Sequence, residues 1–196
     1  MIRLRGLTFA VLFQVVTVVM AIPALPLFLL PPRYLRIYSE AWMRTMHAML
    51  AIIVGLRMVV RGREHLPDGP VIVASKHQSA WDTLTFNLLL DDPAIVLKQE
   101  LTKIPVVGWG GVRLGMIPID RGAGASALKG MVAIARARAA EGRPIVIFPQ
   151  GTRTDPGVTA RYHPGIAALY TALELPVVPV ALNSGLFWRP GFGNQR

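Results

Sequence analysis

A histidine and an aspartate stand five positions apart where a predicted strand gives way to a helix. The segment Ser75-Lys-His-Gln-Ser-Ala-Trp-Asp82 follows an apolar run. A histidine can take a proton from an alcohol near neutral pH, and a carboxylate beside it fixes its tautomer and stabilises the imidazolium. On a regular helix His77 and Asp82 would diverge by about 140°, so their pairing requires His77 to lie before the helix. The alternative for Asp82 alone is a first-turn acid that favours the helix dipole.

A second segment, Ile147-Phe-Pro-Gln-Gly-Thr-Arg153, also ends an apolar run. Its glycine allows a tight turn that exposes backbone amides, its threonine adds a hydroxyl, and Arg153 offers two parallel donors to a phosphate. The pattern predicts an oxyanion or phosphate cradle. The alternative is an ordinary turn with a solvated arginine.

The sequence lacks the residues that several other kinds of site require. The chain has no cysteine, which excludes thiolate nucleophiles and thiolate metal sites. It has no Gly-x-Ser-x-Gly elbow for a serine hydrolase, and neither a Walker loop nor a His-Glu-x-x-His metal motif. The glycine-rich Gly108-Trp-Gly-Gly-Val-Arg-Leu-Gly115 does not follow a strand and open a helix, so we interpret it as a site of close packing.

Beyond Gly62, short apolar runs alternate with stretches of helical periodicity. Because most of these runs are continuously apolar, they are typical of strands buried on both faces. The predicted strands are Val71–Ser75, Ala94–Lys98, Met116–Ile119, Pro144–Phe148 and Val177–Leu182. The predicted helices are Trp81–Leu90, Gly124–Glu141 and Gly165–Leu173. The alternation predicts an α/β domain with a mostly parallel sheet flanked by helices.

Two further basic residues, Lys98 and Arg121, also end apolar runs. Open α/β sheets bind ligands beyond the carboxyl ends of their strands. We therefore expect both side chains at the same sheet edge as the two segments described above. Each has the alternative of being an ordinary surface charge.

The first sixty residues contain one long apolar run instead of several short ones. From Leu7 to Leu30 there are 24 residues without a charge, and a transmembrane helix needs about 20. Pro23 and Pro26 interrupt the run, which favours a kinked or half-inserted membrane helix. A cleaved signal peptide and a helix that merely covers the following domain are the alternatives. The stretch Ala41–Val60 carries charges and indicates an interfacial segment.

Basic side chains outnumber acidic ones, 21 to 11, and 53% of the residues are hydrophobic. Within residues 1–60, six arginines accompany a single acid, Glu40. This balance suits the anionic face of a membrane. The aromatic residues are scattered rather than interleaved with a basic stripe, which argues against nucleic-acid binding. We therefore expect a membrane lipid as partner and no nucleic acid.

Two segments together, His77-Gln-Ser-Ala-Trp-Asp82 and Phe148-Pro-Gln-Gly-Thr-Arg153, resemble the glycerolipid acyltransferase family. Its best-known members are the 1-acylglycerol-3-phosphate acyltransferases. Gly115-Met-Ile-Pro-Ile-Asp-Arg121 and Val178-Pro-Val-Ala-Leu-Asn183 are similar to two further blocks of the family, in the family's order. The resemblance runs from Val71 to Asn183, and the N-terminal helices match in character only.

The resemblance implies a reaction and a set of roles. His77 would be the general base on the acceptor hydroxyl, and Asp82 would orient it. The acyl donor would be acyl-CoA or acyl-carrier protein, with direct transfer and neither a metal nor a cofactor. The residues that would bind the acceptor phosphate or shape its site are Lys98, Arg121, Gln150, Gly151, Thr152 and Arg153.

The chain departs from the family pattern at two places. Members commonly carry glutamate where this chain has Gln150, and an amide keeps hydrogen bonding while removing a negative charge. The family also usually continues further past the last block. We expect anchoring helices over residues 1–61 and an acyltransferase domain over 62–196 that is short or truncated at its C-terminus.

These features predict an enzyme that transfers a fatty acyl group to the sn-2 hydroxyl of lysophosphatidic acid and makes phosphatidic acid. We expect it at the cytoplasmic face of a membrane, in particular the bacterial inner membrane. One alternative is another lyso-lipid acceptor, such as lyso-ornithine lipid, which would relax the need for phosphate contacts. The other is a non-catalytic, basic membrane-binding module.

Overall fold

The computed structural model describes residues 2–188 of the chain. The helices are α1 (Ile2–Ala24), α2 (Pro32–Met49), α3 (Ala80–Leu89), α4 (Val107–Arg113), α5 (Gly124–Ala140) and α6 (Gly165–Leu173). The strands are β1 (Ile72–Ser75), β2 (Ala94–Lys98), β3 (Ile117–Ile119), β4 (Ile145–Ile147) and β5 (Val177–Val180). Positions 189–196 of the predicted acyltransferase domain lie outside the described residues.

The five strands form one parallel sheet in the order β3-β2-β4-β1-β5. Val73 pairs with Val146 on one side and with Val178 on the other, so β1 lies inside the sheet. Because all strands run the same way, the segments that follow them leave from one edge. The predicted α/β class with a parallel sheet is confirmed.

Each face of the sheet is covered by helices. On one face, Ile72 and Ile145 pack with Met131 of α5 and Leu169 of α6. On the other face, alternate strand residues such as Val146 pack with Phe86 of α3. This two-sided burial is the physical reason that the strands are continuously apolar rather than alternating.

The N-terminal region folds as a helical hairpin. Pro23 is accommodated in the last turn of α1, a short 3-10 helix covers Leu25–Leu29, and α2 begins at Pro32. The two helices are joined by Trp42, whose indole Nε1 donates to the hydroxyl of Thr17 at 3.2 Å. The prolines therefore end the first helix and turn the chain back.

One face of α1 is apolar and open to solvent. An apolar stripe recurs every three or four residues, which is the spacing of one helix face: Leu4, Leu7, Val11, Val15, Val18 and Ile22 are all exposed. Among the described helices, only the stretch Arg3–Leu29 is long and apolar enough to cross a membrane, and 6% of its most apolar window is buried. Low burial distinguishes this helix from one that covers a core.

Several side-chain contacts hold the hairpin against the sheet domain. Arg36 of α2 forms an ion pair with Asp91 at 3.3 Å. Nε2 of His47 lies 3.0 Å from the Thr85 hydroxyl of α3. Near the end of the described chain, the ring of Trp188 packs edge-on against Phe9 of α1, with ring centroids 5.2 Å apart. The hairpin thus has a defined position beside α3.

The glycine-rich segment contains a helix that the sequence analysis did not predict, α4. The predicted close packing is observed, because a Cβ atom on Gly108 would clash with the carbonyl oxygen of Leu101. Gly115 ends the segment with a φ of 76°, beside the guanidinium of Arg143. A helix with three glycines in seven residues has low intrinsic propensity, so tertiary packing must stabilise it.

Candidate active site

The turn between β1 and α3 is built by a capping box. Ser79 is the N-cap of α3, and its hydroxyl accepts a hydrogen bond from the backbone N–H of Trp81 at 3.1 Å. Asp82, in the first turn, reaches back and accepts from the backbone N–H of Ser79 at 2.9 Å. This arrangement satisfies N–H groups that a helix start leaves without partners.

His77 lies in this turn, before the helix begins, and its ring meets Asp82. Nδ1 of His77 is 2.9 Å from Oδ2 of Asp82. Because a carboxylate can only accept, this contact assigns the ring proton to Nδ1 and leaves the lone pair of Nε2 available as a base. The ring stacks on Phe148, with centroids 4.3 Å apart, and lines a cavity.

The Asp82 carboxylate is completely buried and is held on both oxygens. Oδ2 accepts from the backbone N–H of Gln78 at 2.7 Å, in addition to its contacts with His77 and Ser79. Oδ1 accepts from the hydroxyl of Ser184, beyond β5, at 2.6 Å. A buried carboxylate with this many donors has one orientation, which in turn orients the imidazole.

The loop after β4 holds the backbone of His77. Oε1 of Gln150 accepts from the His77 N–H at 3.2 Å. The backbone N–H of Thr154 donates to the His77 carbonyl at 2.9 Å, and the Thr154 hydroxyl lies 3.2 Å from the same Gln150 oxygen. Both polar groups of the His77 peptide are therefore bound by this loop.

Gln150 was predicted to contact the acceptor phosphate, and the structure places it elsewhere. Its side chain is 3% exposed and lies under the loop rather than among the residues that line the cavity. The physical reason is that the loop turns at Gly151, which has a φ of 67°, so that successive side chains face in different directions. Gln150 braces His77, while Thr152 and Arg153 line the cavity.

The cavity beside His77 has a volume of about 610 Å³. Basic side chains from three strand ends line it: Lys98 from β2, Arg121 after β3 and Arg153 after β4. No aspartate or glutamate belongs to the lining among the described residues. The predicted meeting of these residues at one sheet edge is therefore observed, and the cavity favours an anion.

Lys98 carries a counter-ion on its own segment. Its ammonium lies 3.1 Å from the carboxylate of Glu100. A hydrogen bond from the backbone N–H of Glu100 and another from Lys98 lower the pKa of the Glu100 carboxyl, and the charge of Arg121 lowers it further. Glu100 therefore stays ionised at neutral pH, and any anion that enters the cavity must compete with it for Lys98.

Gly151 lies where two basic side chains converge. A Cβ atom there would lie 3.3 Å from Nε2 of His163 and 3.5 Å from Cζ of Arg121. The Cδ2 atom of His163 would be only 2.9 Å away, which is a clash. The positive φ and this close approach both favour glycine at the position.

Three residues near the site were not among those predicted from the sequence: Thr154, His163 and Ser184. Thr154 could have been suspected, because it directly follows Arg153. Ser184 is 102 positions from Asp82, and no local pattern links the two. His163 precedes α6, and only the folded loop brings it to Gly151.

Comparisons of the sequence with known proteins point to one family. A family model described as Acyltransferase matches residues 57–183. A 1-acyl-sn-glycerol-3-phosphate acyltransferase of Pseudomonas aeruginosa is 35% identical over 153 residues, 78% of this chain and 60% of that protein. A chloroplastic protein of the same name from Brassica napus is 29% identical over 92% of this chain and 53% of its own length. The chain thus spans about half to three fifths of these relatives.

The fold also matches a solved structure. The crystal structure of the 1-acyl-sn-glycerophosphate acyltransferase of Thermotoga maritima superposes with a TM-score of 0.78. The match covers 100% of this chain and 81% of that chain, at 22% sequence identity. At this identity the match establishes the shared fold, from the N-terminal helices to the parallel sheet.

Proposed function

The chain belongs to the acyltransferase family, and we propose that it transfers a fatty acyl group from an acyl thioester to the sn-2 hydroxyl of lysophosphatidic acid. The product would be phosphatidic acid. The observation that carries this proposal is a histidine paired with a buried carboxylate, facing a cavity lined by basic residues. The names of the relatives support the same substrate class.

The geometry supports His77 as the general base. With its proton on Nδ1, held by Asp82, the ring presents Nε2 to an acceptor hydroxyl in the cavity. Nε2 takes the hydroxyl proton while the oxygen attacks the thioester carbonyl carbon. As the carbon–sulfur bond breaks, the proton on Nε2 can pass to the leaving thiolate. Asp82 stabilises the transient imidazolium, which it already contacts.

The basic residues of the cavity suit an acceptor that carries a phosphate group. Lys98, Arg121 and Arg153 surround a space next to His77, so a phosphate held there leaves the sn-2 hydroxyl of the same molecule near Nε2. Holding the acceptor in this way places its hydroxyl beside the base, so the reaction no longer depends on a chance encounter in the right orientation. Gly151 and Thr152 also line this cavity, where Gly151 supplies the turn of the loop and Thr152 supplies a hydroxyl. The donor is proposed to be acyl-CoA or acyl-carrier protein.

The exposed stripe of α1 supports membrane association. An apolar face of 23 residues is about 34 Å long at the rise of an α-helix, close to the roughly 30 Å hydrocarbon core of a bilayer. Both substrates bear long acyl chains and reside in or near a membrane. We propose that α1 places the cavity at the cytoplasmic face of a bacterial inner membrane.

Thiol release tests the proposed reaction. Detergent-solubilised protein is given a long-chain acyl-CoA with or without lysophosphatidic acid, and wild type is compared with His77→Ala. We expect release that depends on the acceptor and is lost in the variant. Arg161→Ala, an exposed site outside the cavity lining, serves as the matched control.

Other outcomes of this assay have definite meanings. Release without acceptor would indicate a thioesterase. Transfer to lyso-ornithine lipid but not to lysophosphatidic acid would overturn the substrate assignment while keeping the reaction class. Vesicle binding by wild type and His77→Ala, with no transfer from either CoA or carrier-protein donors, would support a non-catalytic membrane module.

A further inference from the structure

We propose that His163 is a further basic ligand of the acceptor phosphate, and that protonation of its imidazole strengthens acceptor binding below neutral pH. The inference rests on the proposed function, because it adds a ligand and a pH dependence to the same cavity. His163 lines that cavity together with His77 and the three basic side chains described above.

The position of His163 is determined by contacts on both sides. Its backbone N–H donates to the carbonyl of Pro149 at 2.8 Å, which ties it to the loop after β4. The next residue, Pro164, is the N-cap of α6, and Gly165 is buried against Ile147 and Met131. The backbone of His163 is thus anchored, although its side chain is exposed to the cavity.

The imidazole lies at the turn that shapes the cradle. Nε2 of His163 and Cζ of Arg121 both lie beside Gly151, 3.3 Å and 3.5 Å from the point that a Cβ atom there would occupy. Both side chains line the cavity, so a phosphate oxygen in the cavity could accept from the guanidinium and from the imidazolium together. The absence of a side chain at Gly151 is what lets both groups approach the turn this closely.

The charges that face His163 couple proton binding to phosphate binding. Lys98, Arg121, Arg153 and His77 line the cavity, and Arg161 and Tyr162 precede His163 on its own segment. Glu100 is the acid paired with Lys98. A bound phosphate dianion favours the protonated form of an imidazole beside it. Phosphate binding and protonation of His163 therefore reinforce each other.

Two sources could supply the phosphate: the lyso-lipid acceptor and the acyl donor, whose CoA or carrier-protein arm also bears phosphate. The cavity reaches His77 directly, so we assign the His163 contact to the acceptor, whose hydroxyl must reach that residue. The Michaelis constants of the two substrates separate these sources. A ligand of the acceptor phosphate changes the acceptor KM and leaves the donor KM unchanged.

The kinetic test compares His163→Gln and His163→Lys with wild type in mixed micelles. At about pH 6, where imidazole is charged, we expect His163→Gln to raise the acceptor KM roughly fivefold, as for a partly exposed charge-assisted contact. At about pH 8.5, where imidazole is neutral, the difference should fall below about twofold. His163→Lys should keep a low acceptor KM at both pH values, and kcat and donor KM should change little.

The matched control is Arg161→Gln, which removes a positive charge two positions away, outside the cavity lining. An acceptor KM raised equally by Arg161→Gln would overturn the proposal, because the effect would then be one of general charge. Equal acceptor KM values for wild type and His163→Gln at low pH would also overturn it. In both cases acyl transfer itself would remain, so the proposed function would stand.

A binding measurement tests the proposal independently of turnover. The ring-proton NMR signal of His163, assigned by its loss in His163→Gln, is followed in the full-length protein as glycerol 3-phosphate is added above neutral pH. We expect the signal to move toward its protonated position, and to a smaller extent in Arg121→Gln. An unchanged signal would refute the contact, whether or not the protein proves to be an acyltransferase.

Discussion

The Asp82 carboxylate unites two interpretations that the sequence analysis treated as alternatives. It caps the first turn of α3 by accepting from the Ser79 N–H, and the same oxygen meets Nδ1 of His77. A cap fixes the start of a helix, so here it also fixes the distance between the two side chains. The helix start therefore serves as the scaffold of the His–Asp pair.

Asp82→Asn should lower kcat by roughly a thousandfold or more, as the equivalent change does in Ser-His-Asp triads. The amide keeps the shape of the carboxylate but cannot stabilise the imidazolium or select its tautomer. Steady-state transfer assays at saturating substrates would measure this. Near wild-type kcat in a folded Asp82→Asn variant would contradict the general-base mechanism.

Gln150 should act through His77 rather than through the substrate, since its oxygen binds the His77 backbone. Gln150→Glu keeps an acceptor at that point, and we expect an acceptor KM within about threefold of wild type for a change of this size. Gln150→Leu leaves the His77 N–H without its partner and should lower kcat about tenfold, the effect of a lost hydrogen bond of 1–2 kcal/mol. A large rise in acceptor KM with unchanged kcat in Gln150→Leu would restore the phosphate-contact assignment.

Glu100→Gln should lower the acceptor KM, because the phosphate no longer competes with a carboxylate for Lys98. We expect a decrease of about two- to threefold, typical of an exposed ion pair. Because its pKa is lowered, Glu100 loses its charge only as the pH falls well below neutrality. The effect should therefore be the same across the neutral range, unlike that of His163. Competition kinetics with inorganic phosphate would report the same change.

At the scale of elements, the N-terminal hairpin has two faces of different character. Its inner side packs Phe9 and Leu50 with Trp188. Its outer side carries the apolar stripe of α1, which the described structure leaves uncovered. An exposed apolar face of this length is typical of contact with a membrane or another protein.

The stripe should determine membrane binding. Replacing Val15, Val18 and Ile22 by lysine should reduce the vesicle-bound fraction at least about tenfold, because each charge is costly in the hydrocarbon region. Cosedimentation with phospholipid vesicles would measure it. The control is Tyr170→Lys, an exposed residue of α6. Equal loss in the control, or no loss in the triple variant, would contradict the anchor.

At the scale of the whole molecule, the parallel direction of the strands explains why the residues of the site lie together. The groups after β1, β2, β3 and β4 come from widely separated parts of the sequence, yet all leave one edge of the sheet. The excess of basic residues adds a long-range field that attracts anions.

Preference for anionic vesicles should therefore depend on salt. Raising NaCl from about 0.1 M to about 1 M shortens the screening length from about 10 Å to about 3 Å. We expect binding to anionic vesicles to weaken and binding to zwitterionic vesicles to change little, because apolar contacts are not screened. Salt-independent preference for anionic vesicles would indicate that the arginines of residues 1–60 do not face the membrane.

The sequence by itself determined the architecture, because local patterns report burial. The five continuous apolar runs predicted all five strands to within two residues at each end. The helix predicted over Gly124–Glu141 is observed as α5, which packs Met131 and Ala135 against the sheet. The sequence also required His77 to precede α3, since a pair on the helix could not meet. The helix α4 was missed because its glycines carry no helical signal.

Only the tertiary structure decided which side chains face the cavity. Gln150 and Thr152 are two positions apart, but the turn at Gly151 buries one and presents the other, a choice that depends on φ rather than on residue type. Ser184 and His163 reach Asp82 and Gly151 through contacts between segments distant in sequence. Such contacts have no periodicity to detect, because the packing of separate loops, and not a repeating backbone geometry, brings the atoms together.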